Sequence, residues 1–76
     1  MLFKKGDIVK VEDIVDEDYS HYSGIVGEII EIQSGVTFPY RIAPKSFLNL
    51  SDEWFSEPEL NLIRSAKREY KVYKRR

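Results

Sequence analysis

The chain holds one histidine, His21, in a stretch that also offers Asp16, Asp18, Ser20 and Ser23. Histidine is the commonest general acid or base, and serine, histidine and aspartate are the ingredients of a nucleophilic triad. No Gly-x-Ser-x-Gly turn or glycine-rich loop accompanies them to present a nucleophile. The residue types therefore predict a solvent-facing loop histidine and no enzyme. Asp13, Asp16, Glu17 and Asp18 are oxygen donors of the kind that hard cations take. Their spacing lacks the alternating positions and central glycine of an EF-hand loop, so neither a metal nor a cofactor is expected.

Two recognition chemistries remain. Tyr19 and Tyr22 lie beside five acids (Glu12, Asp13, Asp16, Glu17 and Asp18) that fall within seven residues. Aromatic anchors inside a charged rim are typical binding hot spots, and an acidic rim steers basic partners. The expected protein-binding set is Asp16, Glu17, Asp18, Tyr19 and Tyr22, joined by Tyr40 and Trp54 from later segments. Trp54 also fits a half-buried core position. At the other end, Tyr70 and Tyr73 are interleaved with Lys67, Arg68, Lys71, Lys74, Arg75 and Arg76. Cations neutralise phosphates and aromatic rings stack on bases, so this tail is the alternative, nucleic-acid-binding surface.

The formal net charge of −1 conceals this division. Residues 1–63 hold five basic and twelve acidic groups, a net of −7; residues 64–76 hold seven basic groups and one acid, a net of +6. A body of that sign repels a polyanion beyond the reach of the tail. Cysteine is absent, which excludes disulfides, zinc–thiolate sites and cysteine nucleophiles. The longest apolar run is Met1-Leu2-Phe3, ended by Lys4-Lys5, so no membrane span or signal-peptide apolar region is expected. A cytoplasmic location follows from these readings as an expectation.

Something must position these groups. With 76 residues, 42% hydrophobic and 13% aromatic, one small packed core is within reach. Apolar bursts recur every eight to twelve residues or so between turn signals, the rhythm of a small all-β domain. Residues 6–12 place Val9 and Val11 on one face. Gly24 and Gly27 bracket Ile25-Val26 where the backbone needs room. A strand over 28–32 follows, in which adjacent Ile29 and Ile30 require an outward side chain or a bulge. Residues 38–42 read as a third strand with Pro39 at its start or on an edge. Residues 47–50 continue extended, and Trp54-Phe55 sit in a short strand. Ser56 and Glu59 form a capping-box pattern around Pro58, predicting one 3₁₀ turn, with a last strand ending near Ile63. Ile63, Ala66, Tyr70 and Tyr73 are spaced 3, 4 and 3, predicting a helical tail that docks by this stripe.

Gly6-Asp7-x-Val9-x-Val11, followed by Gly24-x-x-Gly27-x-Ile29-x-x-Ile32, resembles the opening strand–turn–strand of the KOW motif and of small SH3-like barrels. Pro39-Tyr40-x-Ile42 and Trp54-Phe55-Ser56-Glu57-x-Glu59-Leu60 resemble the closing half of small SH3-like barrel proteins of bacteria and their phages. The resemblance spans residues 4–63 and implies a mainly β fold. The expectation is a five-stranded SH3-like barrel over 1–63, with a basic extension over 64–76. Where KOW-like barrels carry a short, often basic first loop, this chain carries a long acidic one. By resemblance, the expected role is non-catalytic protein binding, as a phage-type modulator that docks on a host or bacterial protein and alters its activity. The alternative is a KOW-like accessory factor touching RNA or DNA through its tail. A monomer or weak homodimer, away from membranes, is expected.

Overall fold

The computed structural model describes residues 2–45 and 49–66. Strand β1 (Ile8–Val11) follows from its β-branched composition: Val9 and Val11 alternate into the core and are fully buried. β2 (Val26–Ile32) pairs with it antiparallel, Ile8 opposite Glu28 and Lys10 opposite Val26. β3 (Tyr40–Pro44) pairs with β2, and β4 (Glu53–Phe55) pairs with β3. β5 (Leu60–Arg64) returns to the free side of β1, Val11 opposite Leu60. The sheet order is β4-β3-β2-β1-β5, all antiparallel.

The Ile29-Ile30 conflict is resolved by a bulge. The β2–β3 register shifts between Ile29 and Glu31, which lets Ile29 stay fully buried without inverting the rest of the strand. Strand β3 starts two residues later than expected. Pro39 has no N–H for the ladder, so pairing opens at Tyr40 and leaves Phe38 exposed in the connection.

The expected closed barrel is corrected. β4 and β5 are the two edges of one open sheet, and among the described residues no ladder joins them. β4 has only three residues, and all of its pairing goes to Tyr40, Arg41 and Ile42. A 3₁₀ turn (Glu57–Glu59) connects it to β5, as the capping-box pattern predicts. A second 3₁₀ turn (Glu17–Tyr22), in the acidic first loop, has no counterpart in the sequence expectation.

The core gathers Phe3, Val9, Val11, Tyr22, Ile29, Tyr40, Ile42, Phe55 and Leu60, with Ile14, Ile32 and Leu50 packed against it. Phe3 meets Tyr40 edge-to-face at 5.3 Å. Gly27 lets β2 and β3 approach closely. A Cβ there would stand 2.5 Å from Ile42 Cγ2 and 2.8 Å from the Ala43 carbonyl oxygen. Neither neighbour can retreat, since Ile42 is buried and the oxygen is backbone. Gly27→Ala is therefore expected to lower stability by about 1–3 kcal/mol, read as a lower midpoint in chemical denaturation.

The tail expectation is altered where it can be tested. Ile63 and Arg64 are strand residues of β5, so the proposed helical stripe does not begin at Ile63. The buried carboxylate of Asp7 accepts hydrogen bonds from the Lys4 N–H (2.9 Å) and the Ala66 N–H (2.8 Å), tying the chain after β5 to the turn before β1. Tyr70, Tyr73 and the basic set Lys67, Arg68, Lys71, Lys74, Arg75 and Arg76 lie outside the described residues.

Candidate functional site

The first loop is organised by its own acids. Asp16 caps the Glu17–Tyr22 3₁₀ turn: its carboxylate accepts from the Asp18 N–H at 3.0 Å and its carbonyl from the Tyr19 N–H at 2.9 Å. Two anchors then fasten the loop to the sheet. Tyr22 inserts into the core, edge-to-face against Phe55 at 5.5 Å, and its hydroxyl donates to the Ser51 carbonyl at 2.9 Å. Glu59, only 2% exposed, is the second anchor. One carboxylate oxygen accepts from the Ser56 N–H and hydroxyl, each at 2.8 Å, and the other from the Val15 N–H at 3.0 Å. The Glu59 carbonyl also accepts from the Glu12 N–H at 2.7 Å. A single buried carboxylate thus stitches the acidic loop to the turn between β4 and β5.

Between the loop and β4 opens a pocket of about 350 Å³, lined by Asp16, Tyr19, Phe38, Glu53, Trp54, Phe55 and Glu59. Buried Phe55 and Glu59 make its base; Tyr19 and Phe38 are exposed on its walls. Tyr19 leans edge-to-face on Tyr22 at 6.2 Å, so an aromatic series runs from the surface to the core. Among the described residues, no lysine or arginine nitrogen lies within 4 Å of the carboxylates of Asp16, Glu53 or Glu59. Three cations of the body are engaged elsewhere: Lys10 with Glu12, Arg41 with Glu31 and Asp52, Lys45 with Glu28.

Of the sequence-predicted residues, Asp16, Tyr19 and Trp54 are brought together here. Glu17 and Asp18 are exposed in the first turn of the 3₁₀ segment and do not line the pocket. Tyr22 and Tyr40 are corrected to core residues. Burial removes both from the surface that a partner can touch. Phe38, Glu53, Phe55 and Glu59 complete the pocket and were not among the expected site residues. His21 is exposed, tilted over Tyr22 at 4.6 Å, and among the described residues makes no hydrogen bond to a serine or aspartate side chain. Nor do the described residues contain a group of three or more His, Cys, Asp and Glu placed to hold a metal ion. Among them, no helix is long and apolar enough to cross a membrane.

Tyr40 serves the scaffold behind the site. Its hydroxyl donates to Glu57 Oε2 at 3.1 Å and receives the Phe3 N–H at 3.4 Å. Burial raises its pKa above the ordinary tyrosine value; the Phe3 N–H opposes this and the Glu57 carboxylate adds to it. In the unfolded chain the same hydroxyl ionises first as pH rises through about 10. The stability it contributes is thus complete below that pH and is lost as pH climbs toward the higher folded value. Tyr40→Phe should flatten the fall in stability above about pH 10 relative to wild type, measured by urea denaturation across an alkaline series.

No family model matches the chain, and no curated protein does. Among solved structures, the NMR structure of protein YorP from Bacillus subtilis superposes with a TM-score of 0.70. The match covers 91% of this chain and 79% of that one at 20% identity. At that identity the likeness carries the fold, a small β-rich architecture.

Proposed function

We propose that the chain is a non-catalytic protein-interaction module whose binding surface is the groove between the acidic first loop and β4. On this reading it is a modulator of the phage type, docking on a bacterial or host protein and altering its activity. The observation that carries it is the convergence of Asp16 and Tyr19 from the first loop with Trp54 from β4 into one open pocket, whose acids Asp16 and Glu53 meet no lysine or arginine nitrogen within 4 Å among the described residues. Aromatic side chains lose little entropy on binding and supply large contact area, and acids at the rim steer basic partners and reject polyanions. The exposed carboxylates of Glu17 and Asp18 extend the same field beyond the groove.

Truncation tests the reading against a nucleic-acid role for residues 67–76. The cut belongs after Ala66, because Arg64 pairs with Ile8 and the Ala66 N–H is bonded to Asp7. The truncated chain is expected to keep its captured protein partner. Loss of that partner together with loss of a salt-sensitive nucleic acid would assign binding to the tail instead.

A further inference from the structure

We propose that the groove receives one arginine side chain from a basic segment of the partner, its guanidinium held between Tyr19 and Trp54 and neutralised by Asp16 and Glu53. The proposal rests on the interaction-module reading and names the chemistry of its occupant. Three observations support it.

The first is size. A volume of about 350 Å³ is at the low end of the roughly 300–1,000 Å³ typical of ligand pockets. That suits one long side chain and excludes a folded element. The second is charge. Asp16 and Glu53 line the pocket, and among the described residues neither meets a lysine or arginine nitrogen within 4 Å. Glu59 adds a third negative charge at the base, fixed in place by the Ser56 and Val15 N–H groups. A cation entering here gains a field that no residue of the lining cancels, in a site partly screened from water. The third is the ring chemistry. Trp54 already draws a guanidinium: that of Arg41 lies 6.0 Å from its ring centroid. Arg41 is held by Glu31 and Asp52 and does not line the pocket. A planar guanidinium can stack on an aromatic face and present its fork of donors to carboxylates at once, which an ammonium cannot.

The test is an NMR titration of the isotopically labelled full chain with a short peptide whose single charge is one arginine side chain. The control is the same peptide with citrulline, which keeps the shape and loses the charge. The arginine peptide should shift the Trp54 indole N–H and the Tyr19 amide, and bind about tenfold more tightly than the citrulline peptide. Glu53→Gln should weaken arginine binding several-fold without disturbing other resonances. Salt near 1 M, where screening acts within ~3 Å, should weaken it further. Equal shifts from both peptides, shifts confined to other surfaces, or no shifts would each overturn the assignment.

The two levels fail separately. If groove substitutions abolish partner capture but the arginine peptide leaves Trp54 and Tyr19 unmoved, the interaction surface stands and the arginine assignment falls. If the arginine peptide binds there while capture is insensitive to those substitutions, the assignment stands and the functional reading falls.

Discussion

Glu59→Ala should cost about 2–4 kcal/mol of stability. The side chain is almost wholly buried, and its two oxygens accept from Ser56 twice and from Val15 once. Hydrogen bonds to a charged acceptor are worth more than neutral ones, and their loss leaves donors of two separate segments unpaired. A staple-free core of this size yields only roughly 3–5 kcal/mol net, so the variant is expected to be near its unfolding midpoint at room temperature. The damage should also be local. Without the Val15 bond, the first loop loses one of its two anchors, so residues 15–22 should exchange amide hydrogens faster than β1 and β2. Glu59→Gln retains an acceptor for only one of the two donor groups, and its amide nitrogen faces the other. A cost of about 1–2 kcal/mol is expected. Thermal denaturation with amide exchange distinguishes these outcomes. An unchanged midpoint in Glu59→Ala would remove Glu59 from its place as the link between loop and turn.

Tyr40→Ala should unfold the chain. Tyr40 is fully buried and packs on Phe3, and replacing a buried ring of this size by a methyl typically costs about 3–5 kcal/mol. The hydroxyl network adds to this, because Phe3 N–H and Glu57 both lose a partner. Tyr40→Phe isolates that second part. It keeps the ring, and Glu57 Oε2 still accepts from the Leu2 N–H at 2.8 Å, so a loss of about 1 kcal/mol is expected. Since Tyr40 presents no surface, Tyr40→Phe should capture partners as the wild type does. A Tyr40→Phe chain that stays folded but loses its partner would restore Tyr40 to the binding residues.

The parts of this architecture that depend on neighbours in sequence were legible. The alternation of Val9 and Val11, the outward side chain or bulge required by Ile29-Ile30 and the Ser56–Glu59 turn are all local matters of backbone and side-chain period. Edge pairing was not. Whether β4 and β5 close a barrel depends on strand length and on where the chain leaves the turn, and the three residues of β4 are spent on β3. The two loop tyrosines show the same limit within the site. Tyr19 and Tyr22 have the same residue type and the same acidic surroundings. In a 3₁₀ turn, residues three apart eclipse, so the two rings meet, and the depth of the core then buries Tyr22 beneath Tyr19. That decision belongs to Ser51 and Phe55, which are distant in sequence. Phe38 and Glu53 join the pocket only through the folding of β3 against β4, and no local pattern marks them. Glu59 was visible as half of a capping box. Its reach to Val15 was not.

The groove at Tyr19 and Trp54 is proposed to bind a protein. Its most direct test is capture by the tagged full chain from its native cell after nuclease treatment, compared with capture by a Tyr19→Ala/Trp54→Ala chain shown to be folded. A protein partner is expected that survives nuclease and falls at least about tenfold with the double variant, as loss of two aromatic hot spots implies. Equal capture by both chains, or capture that nuclease abolishes, would contradict it.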